Sequence, residues 1–451
     1  MLRRLAALAV LGSSSAALAA QVTHVATAGT DEWPVEIDFF TSFVGTDESA
    51  TISRETIHPS PPGQPNKSGG GLYLATEMSY QRTSMVLPLR AAVGIWHNLE
   101  LHLNVPIVID DRQTWNYSSV SNEANISVDK TPSVCPEGPV LAGGVCSNGV
   151  PPEPLVTPAA NGANTLPIVS DRGGFVVGNI GIGAAWAVTS EDDDPTDPTW
   201  VIAFDYAAPS AAPMDPTVVS YGPGAPGQIS AIGDKFHHFQ PWTALSKRRG
   251  IFDPYIELYG DIPRSAGGVY DNCDNPYPNS GGEARINCYS GPWTQAQTQA
   301  TPVYLGGFWF GSEIIAYENP KEEQKVNLDF RFLTEYHSQA RTYTELSDLL
   351  QALTYQQDFA RLGGQVGLYF RANRWFELML NFMLAHDTDH WLTMENLGGG
   401  TGSCSGTGCN VQVRSPAQNP NFDFRYDNPG DRFMLQNSLI GSFTGTLMFT
   451  F

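Results

Sequence analysis

Long stretches of strictly alternating apolar and polar residues are the feature that most constrains this chain. Between residues 326 and 336 the even positions are Val, Leu, Phe, Phe, Thr and Tyr, and most odd positions are polar. The stretches 99–110 and 376–384 alternate in the same way. A period of two indicates a β-strand with one face in apolar and the other in polar surroundings. Runs of about ten residues exceed soluble strands of ~5 to 6 residues and suit the ~9 to 11 that cross a bilayer at a tilt.

The connections between these stretches are of two kinds, which alternate along the chain. Short turns are expected at 96–98, 189–198, 247–250, 319–324 and 371–374. Long loops are expected at 45–71, 111–173, 207–235, 263–301, 338–357 and 387–431. Outer-membrane barrels carry short turns on the periplasmic rim and long loops on the extracellular rim. The alternation therefore predicts a membrane barrel.

Twelve strands account for the pattern. They are expected at 35–44, 82–95, 99–110, 174–188, 199–207, 236–247, 251–262, 302–318, 325–337, 358–371, 375–387 and 432–451. The predicted fold class is all-β, a transmembrane antiparallel up-and-down β-barrel of about 12 strands with long extracellular loops. Fourteen strands are the alternative, because residues 72–80 also alternate.

Both ends of the chain carry signals typical of an exported membrane protein. Arginines at positions 3 and 4 precede an apolar stretch, and residues 17–19 read Ala-Leu-Ala, which fits the rule for signal-peptide cleavage. Leu447, Phe449 and Phe451 resemble the C-terminal signal that the barrel insertion machinery reads. We expect export to the bacterial outer membrane. The expected division is a signal peptide at 1–19, a periplasmic N-terminal segment at 20–34 and a barrel at 35–451.

The charge balance bears on the partners. Charged residues make up 16% of the chain, against ~25% in ordinary soluble proteins. The formal net charge of −21 makes nucleic acid an improbable partner. The expected partners are outer-membrane lipid and lipopolysaccharide, the barrel insertion machinery and a small-molecule solute, and no cofactor is implied.

Six cysteines occur as three close pairs, each in a polar segment rich in Gly, Pro or Asn. The pairs are Cys135 with Cys146, Cys273 with Cys288, and Cys404 with Cys409. Fifteen pairings are possible in principle, and local disulfides that staple single loops are the simplest. Export to an oxidising compartment permits them. A zinc site would require CxxC spacing with accompanying His, which the sequence lacks.

One family resemblance rests on a predicted hairpin. Residues 94–106, Gly-Ile-Trp-His-Asn-Leu-Glu-Leu-His-Leu-Asn-Val-Pro, resemble a hairpin of the bacterial outer-membrane barrels known as meta-pathway phenol-degradation or transporter proteins. Residues 178–183 resemble the start of that family's next strand, and Ser246-Lys247 with Tyr255 resembles its middle hairpin. The resemblance covers roughly residues 85–260. It implies passage or uptake of small hydrophobic molecules and supplies no catalytic residue.

The search for chemistry gives two weak candidates. Residues 386–390, His-Asp-Thr-Asp-His, could ligate a metal or act in acid–base chemistry, but a barrel strand leaves the membrane there, so we favour polar rim residues. The acidic run 191–194 could gather calcium, and a solvated turn is the interpretation we favour. No Gly-x-Ser-x-Gly elbow occurs. We therefore expect neither an enzyme nor a metal site.

Residues 344–353 differ from their surroundings. Thr344 followed by acidic residues, with leucines at positions 346, 349, 350 and 353, predicts a short capped amphipathic helix in the fifth long loop. Its apolar stripe needs a partner. It either tucks into the barrel mouth as a constriction or packs on neighbouring loops.

The polar parity of the strands predicts the residues that line the lumen. The predicted pore-lining residues are Arg90, Glu100, His102, Asp205, Asp253, Glu257, Glu313, Asp329, Arg331, Glu335, Arg361 and Glu377. Acids outnumber arginines eight to three in this set, so an open lumen should prefer cations or neutral solutes. The turn at 319–324 is expected to place Glu313 near Arg331.

Three functions are compatible with such a barrel. The first is an outer-membrane channel or facilitated-diffusion barrel for small solutes, hydrophobic or cationic. The second is a structural or adhesive surface barrel that acts through its disulfide-stapled extracellular loops. The third, a barrel-embedded hydrolase, would require Ser and His close together on the outer wall, and the sequence offers no clear pair.

Overall fold

The computed structural model is almost entirely β-structure. It describes residues 20–29, 35–57, 72–117, 168–216, 228–268, 300–350, 352–396 and 432–451, together with residues 421, 426, 427 and 429. The strands are β1 (Ile37–Ile57), β2 (Leu72–Trp96), β3 (Leu99–Tyr117), β4 (Ile168–Val177), β5 (Gly181–Thr189), β6 (Thr199–Ala207), β7 (Phe236–Ser246), β8 (Phe252–Ser265), β9 (Leu305–Asn319), β10 (Gln324–His337), β11 (Ala340–Thr342), β12 (Thr354–Gln356), β13 (Phe359–Asn373), β14 (Phe376–Asp387), β15 (His390–Trp391) and β16 (Phe433–Thr450). The helix α1 spans Ser347–Leu350.

The main sheet closes on itself as an antiparallel barrel. Neighbouring strands pair in chain order, and β1 pairs with β16 in the register Asp38↔Thr450. The strands β4 and β5 share one position beside β3, so the barrel has twelve positions. The predicted twelve-stranded barrel is therefore confirmed. Closure pairs the backbone groups that an open edge would leave unsatisfied in lipid.

Three strands run well beyond the bounds that the sequence analysis gives them, and one of these, β3, continues to Tyr117 instead of ending at residue 110. β1 continues to Ile57 and β2 begins at Leu72, so much of the expected loop 45–71 is strand. The alternating stretch 72–80 belongs to β2 and adds no thirteenth or fourteenth strand. Residues 45–56 are mostly polar and do not alternate between apolar and polar side chains. The alternation in the sequence therefore ends before the strand does, because the backbone hydrogen bonds to the neighbouring strands continue.

The outer face of the barrel is apolar. Phe39, Phe43 and Phe443 are 40 to 48% exposed, although they lie in strands that are paired on both sides. Leu447, Phe449 and Phe451 of the proposed insertion signal are also exposed, at the rim where β1 begins. A belt of outward apolar side chains on a closed barrel is the arrangement that lipid requires. The protein is an outer-membrane β-barrel.

The segment from β11 to β12 folds back into the barrel at the end where the long connections lie. Leu346, Leu349 and Leu350 are fully buried in one cluster with inward residues of β1, β2, β3 and β16. The Trp115 indole N–H donates to the Glu345 carbonyl (2.9 Å), and the Thr344 hydroxyl accepts from the Leu346 N–H (3.2 Å). Of the two arrangements that the sequence left open, the structure has the helix in the barrel mouth.

Among the described residues, we find no helix with the length and apolarity needed to cross a membrane.

Candidate functional site in the barrel lumen

The inner face of the barrel carries the polar residues that the sequence analysis selected. All twelve residues named above as pore-lining lie on the inward parity of their strands. Most of them are engaged in ion pairs and hydrogen bonds that cross neighbouring strands. Their role as the lining of an open pore stays a prediction, because part of the lumen is filled.

One network joins β2, β3 and β6. Arg90 Nη2 donates to Glu100 Oε1 (2.5 Å), and the same carboxylate oxygen lies 2.8 Å from His102 Nδ1. His102 Nε2 contacts Asp205 Oδ1. The other oxygen of Asp205, Oδ2, accepts a hydrogen bond from the Trp242 indole N–H (2.8 Å). A Cβ at Gly183 would collide with both the His102 and Asp205 side chains, so only glycine leaves room for this contact.

A second network lies on the opposite wall. Arg331 pairs with Asp329 (2.7 Å) on its own strand and donates to the Tyr369 hydroxyl (2.7 Å). Glu313 lies opposite Asp329 across the β9–β10 hairpin, and its Oε2 accepts a hydrogen bond from Asn327 Nδ2 (2.6 Å). Arg331, two residues beyond Asp329 on the same face of β10, is the diagonal neighbour of Glu313, and a direct contact between their side chains stays a prediction.

A buried ion pair connects β13 and β14 at the end of the barrel where the long connections lie. Arg361 donates to both oxygens of Asp387, at 2.6 and 2.8 Å, and both side chains are inaccessible to solvent. His390 stacks on Phe359 with ring centroids 4.2 Å apart. Because β14 ends at Asp387, His386 is exposed whereas His390 turns inward, and the two imidazoles do not share a face.

The N-terminal residues 20–28 lie inside the barrel. The sequence analysis had assigned residues 20–34 to the periplasm. Gln21 N–H donates to Glu313 Oε1 (2.5 Å), and the Gln21 side chain contacts Glu377. Ala26 N–H donates to Glu100 Oε2 (2.8 Å). Ala20, Val22 and Val25 are buried in one cluster with inward side chains from β5 to β16. We call residues 20–28 the inner segment.

Gly94 sets how closely the inner segment approaches the wall. A Cβ at this position would overlap the backbone of Thr27. Ala28 forms an isolated bridge with His97, and Thr27 N–H donates to Glu36 Oε2 (2.8 Å). The inner segment thus fills the lumen at the end where the short turns lie. The sequence of the inner segment has little periodicity that would predict its position. The one indirect indication is the acidic inner face of the barrel, because buried carboxylates need hydrogen-bond donors and the inner segment supplies some of them.

Several inward carboxylates keep oxygens without a hydrogen-bond partner among the described residues. Both oxygens of Asp253 and one oxygen of Glu257 are in this state, and each residue is only 1% exposed. His24, Glu36 and Asp38 offer one ligand atom each within 4.8 Å and could hold a metal ion. These three groups already hydrogen-bond to one another, to Thr27 or to Thr450.

A cavity of about 200 Å³ occupies the half of the lumen that faces the long connections. Arg90, Asp205 and Trp242 line it from the inside. Leu89 and Tyr206, which lie on the outer parity of β2 and β6, line it as well. The lining of the cavity therefore includes residues of both faces of the sheet.

The wall is interrupted beside this cavity. β3 pairs with β5 up to Asn104 and with β4 from Ile107 onward, and the two residues between belong to neither register. On the other side, residues 178–180 turn away: Ile180 N–H donates to the Ser210 hydroxyl (3.0 Å). One backbone hydrogen bond, from Gly178 N–H to the Pro106 carbonyl (2.7 Å), still crosses the interruption.

All six cysteines lie outside the described residues, so their pairing stays a prediction.

No family model and no curated protein matches the chain. Similar solved structures include an outer membrane channel of Pseudomonas putida F1, with 9% identity, TM-score 0.38 and coverage of 91% of this chain and 95% of that one. A FadL homologue of Pseudomonas aeruginosa has 9% identity, TM-score 0.33 and coverage of 92% and 90%. The outer membrane protease OmpT of Escherichia coli has 7% identity, TM-score 0.28 and coverage of 92% and 97%. Similarities at this level assign neither function nor substrate.

Proposed function

We propose that the protein is an outer-membrane channel for small solutes with an apolar body. The observation that carries this proposal is the cavity in the lumen, whose lining includes outer-face residues beside the interruption between β3 and residues 178–180. Ligand sites combine an apolar lining with a few placed polar groups. The cavity has both, with Trp242 and Phe236 beside Asp205 and Asp261.

The straight route to the periplasm is closed by the inner segment. Its backbone and side chains occupy the lumen between Glu313, Glu377 and Glu100. Solutes therefore leave the cavity through the wall, while hydrated ions pass only when the inner segment moves out. A route through the wall favours solutes with apolar surface over hydrated ions. This agrees with what the resemblance to the meta-pathway barrels implies.

The export of the chain is part of the same proposal. Residues 1–19 act as a signal peptide, and the three cysteine pairs close disulfides within extracellular loops. Lipopolysaccharide and the insertion machinery are the partners that an outer-membrane location implies.

A surface barrel that acts through its loops is the second candidate. The filled half of the lumen favours it, because an anchoring barrel needs no passage. Solute uptake distinguishes the two functions.

The test is the uptake of radiolabelled benzyl alcohol by a bacterial host that lacks its own general porins. Cells that produce the intact chain should take up the solute faster than cells without it. Gly181→Leu, which places a larger side chain at the cavity wall, should reduce this gain. Gly441→Leu adds the same atoms away from the cavity and should leave the gain intact. Uptake equal to that of the empty host would favour the surface barrel.

A further inference from the structure

The first residues of the inner segment are held to the barrel wall by hydrogen bonds. Gln21 N–H donates to Glu313 Oε1 (2.5 Å). The Thr23 hydroxyl donates to the Ala20 carbonyl (3.0 Å) and lies 2.8 Å from the Ser246 hydroxyl. The start of the segment is therefore fixed against β7 and β9.

The wall at this point carries two neighbouring carboxylates. Asp253 of β8 lies directly opposite Glu313 of β9 on the inner face, and each residue is 1% exposed. Side chains in such opposite positions have Cβ atoms about 4.5 to 5.5 Å apart. Two buried carboxylates side by side are costly unless a cation or strong hydrogen-bond donors compensate them.

The groups that contact these two acids carry no charge. Glu313 accepts from the Gln21 N–H (2.5 Å) and from Asn327 Nδ2 (2.6 Å), which are both neutral donors. Both oxygens of Asp253 lack a hydrogen-bond partner among the described residues. The pair Asp253 and Glu313 therefore has room for a positive charge with several donors.

The basic side chains of the wall do not supply this charge. Lys325 and Arg248 attract Asp253 electrostatically, but in the described part of the chain neither forms an ion pair with it. Arg248 pairs with Glu318 instead (2.7 Å).

Cleavage of the Ala19–Ala20 peptide bond, which residues 17–19 predict, makes a positive charge at the start of the inner segment. The C–N bond breaks, and the oxygen of a water molecule joins the Ala19 carbonyl carbon. Both protons of that water end on the Ala20 nitrogen. Ala19 becomes a carboxylate, and Ala20 becomes an ammonium that is protonated at neutral pH and has three donors where the peptide group had one.

This charge arises close to the two acids. Consecutive backbone nitrogens are less than about 3.8 Å apart, so the Ala20 nitrogen lies within about 6 Å of the Glu313 oxygen that Gln21 contacts. A buried pair of opposite charges at this distance attracts strongly, because little solvent screens it.

We propose that removal of the signal peptide creates a buried α-ammonium group at Ala20 that pairs with Asp253 and Glu313. This ion pair fixes the inner segment in the lumen, so the chain closes its own lumen only after export and cleavage. The inference rests on the proposed function, because export of the chain is part of that proposal.

The first test is the mass of the intact protein purified from outer membranes of a bacterial host. The mass should be that of residues 20–451. Retained residues 1–19, or a chain that begins at any residue other than Ala20, would overturn the proposal.

The second test removes the ammonium and leaves the size of the residue almost unchanged. The purified protein is unfolded in urea, treated with pyridoxal 5′-phosphate, which converts an N-terminal alanine amine to a ketone, and refolded in detergent micelles. Mock-treated protein passes through the same steps. Hydrogen exchange of residues 21–28 should be about tenfold or more faster in the ketone form, with unchanged exchange in the barrel strands. Equal exchange in the two forms would overturn the ion pair.

The third test asks whether the ammonium acts through these two acids. In the double variant Asp253→Asn with Glu313→Gln, the same treatment should change exchange by less than about twofold. Asp358→Asn removes a carboxylate at an exposed position and is the matched control, in which the full effect should remain. A tenfold effect that survives in the double variant would contradict the pairing.

None of these measurements depends on permeation. Unchanged exchange in the ketone form together with normal benzyl alcohol uptake therefore rejects only the ion pair. An ion pair that passes these tests in a protein without uptake rejects only the channel.

Discussion

At the scale of single residues, the lumen is held by ion pairs that no solvent reaches. Arg361 and Asp387 are the clearest case, with two hydrogen bonds and no solvent exposure of either side chain. Removing one partner leaves a buried charge without compensation, which typically costs about 3 to 5 kcal/mol. Replacing both by apolar residues of similar volume is often neutral.

We predict that Arg361→Met lowers the free energy of barrel unfolding by about 3 to 5 kcal/mol. The double variant Arg361→Met with Asp387→Leu should recover most of that loss. Urea unfolding in lipid vesicles, followed by tryptophan fluorescence, measures both. A double variant no more stable than the single one would show that the pair contributes more than mutual neutralisation.

Glu36 gives a prediction on pH. Burial raises the pKa of Glu36 to about 7, and nearby Glu100 acts in the same direction, whereas the hydrogen bonds from Thr27 and the charge of Arg371 oppose the rise. A carboxyl with a raised folded-state pKa contributes stability that is fully present below its ordinary pKa and is lost as the pH rises through 7. Ionised Glu36 is costly to keep buried, so the buried arrangement around it loses stability in mild alkali, although the hydrogen bonds from Thr27 favour the charged carboxylate.

We expect the ion conductance of the intact chain in planar bilayers to be larger at about pH 8 than at about pH 5. Glu36→Gln, which cannot ionise, should flatten this dependence. A conductance that is independent of pH in the intact chain, or a dependence that survives in Glu36→Gln, would contradict the assignment to Glu36.

Parity predicted which residues face the lumen but not which residues they contact. The alternation in β10 placed Asp329 and Arg331 inward correctly, since only the period of two was needed. Glu313 accepts a hydrogen bond from Asn327, and the one-residue bulge at Val326 and Asn327 in this hairpin leaves no mark on the alternation of residue types.

At the scale of elements, the inner segment depends on a close approach to β2. Gly94→Val would place side-chain atoms where the backbone of Thr27 lies. The barrel strand is fixed by pairing on both edges, so the inner segment is the part that yields. We predict faster hydrogen exchange of residues 20–28 in Gly94→Val, with unchanged exchange in the barrel strands.

Gly306→Val is the matched control, because a Cβ at Gly306 meets no atom within 4 Å. Hydrogen exchange followed by mass spectrometry compares the two variants. Protection of residues 20–28 that is equal in Gly94→Val and in the unsubstituted chain would mean that the inner segment does not depend on this contact.

The elements differ in how far the sequence predicts them. Strands such as β10 and β14 were found within a residue or two, because their membrane-facing sides must be apolar. The sequence analysis expected one strand at 174–188 and missed the wall interruption at residues 178–180. The tripeptide Gly-Asn-Ile at these positions does not interrupt the alternation, and the whole stretch has the length expected of one strand. The inner segment was missed because its contacts come from the whole circumference of the barrel.

At the scale of the whole molecule, closure and charge act together. A barrel of twelve strand positions has a lumen whose width lies between that of small barrels filled by side chains and that of open porins. The inner segment fills one half of it, and the unpaired oxygens of Asp253 and Glu257 remain near that half. Without the inner segment, the inward acids of that half would surround an aqueous path and favour cations.

The most direct test is the single-channel conductance of the intact chain and of a variant without residues 20–28, recorded in planar bilayers under asymmetric KCl. The intact chain should conduct ions poorly. The shortened chain should open a larger conductance with a reversal potential that indicates cation preference. Equal conductance of the two proteins, or anion preference in the shortened one, would contradict a channel that its own N-terminal segment closes.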